Sequence, residues 1–199
     1  MLETLKQYLP ENAFSCAQNL LQNENLVVKV KKERKTKHGD YKGLSNGMHQ
    51  ITINASLNKY RFLITLVHEI AHFEAYQTYG RSIKPHGLEW KRTFQRLMLP
   101  FINPDVFPEE IVPVIAKHFI NPKASSNTDS NLVLALSKFD ETNGKNFVFE
   151  VPFGSNFKMH NGRVFKKGDK RRKRFECIEI KTGKLYLFNP NAQVEFVNE

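Results

Sequence analysis

The run LVHEIAHFEAY at Leu66–Tyr76 constrains this chain more than any other feature. Apolar residues at Phe62, Leu63, Leu66, Val67, Ile70 and Ala71 recur at a helical period and are dense enough for burial, which predicts a core helix. It continues through Phe73, Ala75 and Tyr76 to Gly80, a residue suited to the left-handed position that ends a helix. His68 and His72 stand four residues apart, so one face carries both imidazoles and both can reach one zinc ion. Glu69 between them can address a metal-bound water, so the spacing HExxH outlines a metal-dependent hydrolase site. The competing reading is a pair of core or surface histidines with no chemical role.

Zinc used in catalysis usually takes three protein ligands and keeps one position for water, so a third ligand is expected. His86 is the candidate. It follows a turn bounded by Gly80 and Pro85 and opens a second amphipathic stretch, GLEWKRTFQRLML, in which Leu88, Trp90, Phe94, Leu97 and Met98 form an apolar stripe. Glu74 lies on a different helical face and reads as solvated or structural. Glu89 reads as a first-turn acid favoured by the helix dipole.

Taken together, HEIAHFEAYQTYGRSIKPHGLEWKRTF resembles the core of the SprT-like metalloprotease family, which includes bacterial SprT proteins and Spartan-type proteases acting on DNA-crosslinked proteins. PHGLEW at Pro85–Trp90 is similar to the family's third-histidine segment, and GLSNGMHQITINASL, with Ile53 and Asn54, to its strand before the catalytic helix. The resemblance covers roughly residues 1 to 120. It implies one zinc ion held by His68, His72 and His86, with Glu69 as general base. It also implies a zincin-like domain: a small sheet, the HExxH helix and the helix that follows.

The net charge of +10 is concentrated in two places. VKVKKERKTKHGDYK, Val28 to Lys42, reads as a basic hairpin or loop. RVFKKGDKRRKR, Arg163 to Arg174, offers Lys166, Lys167, Lys170, Arg171, Arg172, Lys173 and Arg174 to a phosphate backbone, which predicts DNA, single-stranded or junction-containing, as a partner beside a protein substrate. A solvated turn that only keeps the chain soluble is the alternative. With no apolar run long enough for a membrane and no signal-peptide pattern, the expected location is cytoplasmic, DNA-associated and off the membrane. Cys16 and Cys177 support neither a disulfide framework nor a cysteine-rich zinc site.

The expected organisation is a metallopeptidase domain over 1–122, a linker over 123–145 centred on NPKASSNTDSN, and a basic β module over 146–199. Residues 3–22 read as a helix that Pro10 interrupts or restarts, followed by strands near 26–32, 41–44 and 50–55. A short helix from Glu109 to His118 is limited or kinked by Pro113, and His118 reads as incidental. Residues 132–139 fit helix or strand equally. NFVFEVP, GRVFKK, RFECIEI, KLYLFN and AQVEFV are β-prone runs between turns, with TGK at Thr182–Lys184 suiting a hairpin. That module resembles the SprT zinc ribbon without its cysteine pairs. Its folding is expected to rest on Phe147, Phe149, Phe165, Phe175, Ile178, Ile180, Tyr186 and Phe188, with some aromatics free to stack on nucleic-acid bases.

The overall expectation is therefore an α+β chain, a zinc-dependent metallopeptidase of SprT-like type cleaving proteins associated with DNA. The alternatives are a DNA-binding or transcription-related protein with little proteolysis, and a hydrolase of small peptides or amides indifferent to DNA.

Overall fold

The computed structural model describes residues 2–32, 34, 37–140 and 146–197. Glu33, Lys35 and Thr36 of the first basic stretch and residues 141–145 of the expected linker lie outside these. The architecture is mixed α+β, and the chain divides into two compact units at Asp140/Glu141.

In the first unit, α1 (Leu2–Lys6) and α2 (Phe14–Leu20) are separate helices joined by a 3-10 turn at Glu11–Ala13. Pro10, with no N–H to give and a fixed φ, marks the break. Strands β1 (Leu26–Lys31), β2 (Gly39–Gly43) and β3 (His49–Asn54) form a sheet in the order β1-β3-β2, with β3 parallel to β1 and antiparallel to β2. Central β3 is the most buried of the three, and Ile51 and Ile53 are fully buried. Its last residue, Asn54, is buried and ties down the β1–β2 connection: its side-chain amide donates to the Arg34 and Lys37 carbonyls, and its oxygen accepts from Arg34 Nε.

The helix predicted from the HExxH run is α3 (Lys59–Tyr79). Asn58 caps it by accepting from the Tyr60 and Arg61 amides, an arrangement whose loss typically costs about 1 kcal/mol. Gly80 closes it at φ 76°, a backbone region that L side chains rarely adopt. Twelve of its residues are buried, which makes α3 the spine of the core rather than a surface helix. Packed beside it is α4 (Leu88–Met98), which contributes Trp90, Phe94, Leu97 and Met98, each such side chain stabilising by about 1.5–3 kcal/mol on burial.

The region after α4 is more ordered than its composition implies. Pro113 sits in the first turn of α5 (Val112–Ile120), where its missing N–H costs nothing, so it starts that helix rather than kinking it. Part of the expected linker is helical: α6 (Ser130–Ser137) is capped by Asp129 and buries Leu132, Ala135 and Leu136 in the same core as α3. Buried Arg61 fastens it, donating to the Val133 carbonyl and to Asp140, while Asn58 Nδ2 donates to the Leu136 carbonyl. The polar, turn-forming letters of NPKASSNTDSN concealed this because they serve as caps and turns around a short apolar helix.

The second unit is an antiparallel sheet in the order β4-β9-β5-β6-β7-β8, built from β4 (Asn146–Phe147), β5 (Asn156–Lys158), β6 (Val164–Arg171), β7 (Arg174–Glu179), β8 (Leu185–Phe188) and β9 (Gln193–Phe196). Gly183, at φ 67°, turns the β7–β8 hairpin at TGK. Its core is Val148, Val151, Phe157, Phe165, Cys177 and Val194, with Phe175, Tyr186 and Phe188 against it. Ile178 and Ile180 depart from expectation. They are 47% and 54% exposed because strand alternation puts Cys177 and Glu179 on the inner face instead.

Candidate metal centre

His68 and His72 project from one face of α3, one helical turn apart, as their spacing requires. His86 joins them from the α3–α4 connection, where it adopts φ 59° immediately before Gly87, the residue that caps α4. A non-glycine residue in that region is uncommon and costs of order 1 kcal/mol or more. The strain has a visible result. His86 Nε2 lies 3.0 Å from His72 Nε2 and 3.2 Å from His68 Nε2.

Three imidazole nitrogens at mutual contact cannot satisfy one another, since each shared proton serves only one pair. A metal ion can satisfy all three lone pairs. Tetrahedral zinc–nitrogen bonds place ligand atoms roughly 3.3 Å apart, close to the spacing found. The electrostatics agree with that use. Burial, then the neighbouring imidazoles, lower the His68 pKa to about 2, and burial followed by His86 lowers that of His72 to about 4; burial also lowers His86. All three are thereby held neutral, the form that ligates metals. Among the described residues, no other trio of His, Cys, Asp or Glu comes together in this way.

Trp90 forms the floor. Its fully buried ring lies 28° from the plane of His72 at 5.2 Å and meets His68 and His86 edge-on at 4.7 and 4.6 Å. Phe94 closes the side next to His68 at 5.3 Å. This aromatic packing fixes the imidazole planes and keeps water from beneath the site.

Glu69, one residue on from His68, is buried against strand β2. Burial, then the charge of Asp40, raises its pKa to about 8 against the opposing pull of Arg34, Lys37 and a hydrogen bond from the Tyr41 amide. Gly39 makes room for it: a Cβ there would stand 2.6 Å from Glu69 Oε1 and 2.6 Å from Thr65 Cγ2. Behind the site, Tyr41 stacks parallel to His72 at 6.2 Å, its hydroxyl contacts His49 Nδ1 at 2.9 Å, and His49 Nε2 meets Gln77 at 3.2 Å. Sequence reasoning missed Gly39, Tyr41, His49 and Gln77. The β2 assignment starting at Tyr41 left Gly39 and Asp40 in a loop, and nothing in the spacing connects His49 with Gln77.

These groups open onto a cavity of about 540 Å³. It is lined by His68, Glu69, His72 and His86 with Gly39–Tyr41, and also by His118 and residues 123–127. His118 is thus a wall residue, contrary to the expectation that it is incidental. Glu74 is structural as anticipated, pairing with Arg96 of α4.

Comparison with known proteins agrees with this geometry. A family model described as the SprT-like family matches residues 4–108, more than half the chain and all three histidines. The chain belongs to the SprT-like family. Membership supports a metalloprotease-type domain and implies a metal, and the His68–His72–His86 cluster of this SprT-like chain is suited to hold one. No solved structure matches the chain significantly.

The other predicted site residues do not converge with these. Lys166, Lys170, Arg171, Arg172, Lys173 and Arg174 line the β6–β7 hairpin of the second unit and are exposed, with Arg171 paired to Glu176 at 3.1 Å. Lys167 must be removed from that set. It is buried, its ammonium donates to the Phe149 and Val151 carbonyls and it lies 4.2 Å over the Phe175 ring, because strand alternation puts it on the same inner face as Phe165, opposite Cys177. The stacking role foreseen for the module's aromatics also loses support, since Phe157 and Phe165 are core. Among the described residues, no helix is long and apolar enough to cross a membrane.

Proposed function

We propose that this SprT-like chain is a zinc-dependent metallopeptidase with a zincin-like catalytic domain, in which His68, His72 and His86 hold one zinc ion and Glu69 is the general base. The observation that carries the reading is the convergence of three neutral imidazole nitrogens beside one buried carboxylate at the wall of an open cavity. Zinc bound there would act as a Lewis acid and make water a stronger acid, with a pKa of about 7. The residues of the chain do the rest. Glu69 Oε, backed by the Tyr41 amide and the small Gly39, accepts a proton from the attacking water and returns it to the leaving amine. Trp90 and Phe94 hold the imidazoles in plane and exclude water from below.

The substrate we propose is protein associated with DNA. Its support is the exposed charge of Lys166, Lys170 and Arg171 to Arg174 on one hairpin, within a chain of net charge +10.

One experiment tests both parts: zinc content and cleavage of a DNA-binding protein, with and without single-stranded DNA. Glu69→Gln is expected to keep one zinc per chain and lose cleavage by about 10²–10⁴-fold. Full cleavage by that variant defeats the mechanism. Replacing Arg171, Arg172 and Arg174 by Gln is expected to weaken DNA binding and flatten its salt dependence by about one log–log unit per charge. Unchanged binding would mean that the hairpin is merely solvated.

A further inference from the structure

The family match ends at residue 108, yet part of the wall of the cavity that Glu69 lines is made from residues beyond it. That part contains one polar side chain that is itself buried: His118, 5% exposed, on α5. Its Nδ1 lies 2.9 Å from Asp129 Oδ2. Asp129 in turn caps α6 by accepting from the Leu132 amide, so one carboxylate fixes both the imidazole and the helix behind it. Burial raises the Asp129 pKa, but the hydrogen bonds from His118 and Leu132 outweigh this and hold it below the usual carboxylate range. It is therefore an ionised partner at neutral pH. The other ring nitrogen, His118 Nε2, has no hydrogen-bond partner among the described residues.

His118 is also tied mechanically to the metal site. Its neighbour Phe119 meets Phe94 edge-on at 4.8 Å, and Phe94 meets His68 at 5.3 Å. The α5 wall is thus in aromatic register with the histidine cluster. A buried imidazole oriented by a carboxylate, with its second nitrogen unused at a cavity wall, differs from a structural histidine, whose two nitrogens are both engaged, as those of His49 are.

We propose that His118, oriented by Asp129, contacts the substrate and donates from Nε2 to the carbonyl oxygen as negative charge develops on it. This rests on the functional reading above. His118 forms and breaks no covalent bond. It supplies a hydrogen bond that strengthens as the oxygen becomes anionic, with Asp129 balancing the imidazolium that such donation requires. The metal ligands carry no such donor, and Glu69 is of the wrong charge for this task.

The test uses the full, zinc-loaded chain and a phosphinic peptide, whose anionic tetrahedral centre mimics that charge. The fluorescence of Trp90, the chain's single tryptophan, reports its binding. His118→Ala is expected to weaken the phosphinic peptide on the order of 100-fold and to lower kcat comparably with KM little changed, while zinc stoichiometry stays at the wild-type value and the chain remains folded at the assay temperature. His118→Gln, which keeps a donor, should recover part of both. Asp129→Asn, the milder variant, should show an intermediate loss. Phosphinic-peptide binding within twofold of wild type for His118→Ala, including no binding by either, overturns the proposal. So does a parallel loss of zinc, which would make His118 structural. A chain that takes up no zinc defeats the functional reading as well, whereas one that binds zinc and cleaves equally with and without His118 defeats this inference alone.

Discussion

Both units take ionisable side chains out of water, and they use them in opposite ways. In the second unit, Lys167 is answered by the Phe149 and Val151 carbonyls, and Glu179 by Arg163 at 2.7 Å and by Thr182. Every such charge finds its partner within the fold, so burial there serves stability alone. In the first unit, Arg61 follows the same rule with Asp140, but the His68–His72–His86 cluster does not. Its three nitrogens point at one another and its carboxylate neighbour is forced upward in pKa. Burial of polar groups is thus no sign of function by itself. What separates a site from a brace is whether the fold leaves the group's demand unmet.

Removing metal is the strongest way to break that comparison. Zinc at about a thousand times its dissociation constant stabilises the state that binds it by about 4 kcal/mol. Amide exchange in α3 and α4 is therefore expected to accelerate by up to three orders of magnitude on chelation, with β6 and β7 unchanged. Equal acceleration in both units would refute a metal centre confined to the first. A second, smaller effect concerns Gly39. Gly39→Ala places a Cβ 2.6 Å from Glu69 Oε1, closer than the two can approach, so the carboxylate must shift and cleavage should fall by about 10–100-fold with zinc retained. Wild-type cleavage would show that Glu69 does not need its present position.

The smallest expected effect belongs to the second unit. The hydrogen bond from Arg163 holds the Glu179 pKa down to about 2, with the Thr182 hydrogen bond adding to it, against an ordinary value of 4.5. A folded-state pKa below the unfolded one contributes stability that is fully present above pH 4.5 and is lost as pH falls toward 2. Acid unfolding of β6 and β7, followed by exchange or fluorescence, should steepen across that window. Arg163→Gln should flatten it, and an unchanged profile would mean that the pair is not the brace described.

Much of this was legible in the chain. The α3 helix, its end at Gly80 and the pairing of His68 with His72 depend on residues within a few positions of one another, where periodicity and glycine geometry speak directly. His86 was legible too, because a short turn limits where it can go. The β runs of the second unit followed from alternation, which also held the information that Ile178 and Ile180 face away from Cys177. Lys167 was misread because a run of basic letters reads as uniformly solvated charge, although strand alternation puts Lys167 on the inner face with Phe165.

The sequence by itself determined the helix that carries His68 and His72, the three candidate histidines and the basic hairpin, since each is a matter of local spacing and charge. Only the tertiary structure decided that Gly39 clears a place for Glu69, that α6 packs into the same core as α3, and that His118 and residues 123–127 line the same cavity as the histidines. Those depend on residues 30 to 50 or more positions apart being pressed together by burial of a shared core. Long-range packing of that kind leaves no period in the letters that produce it.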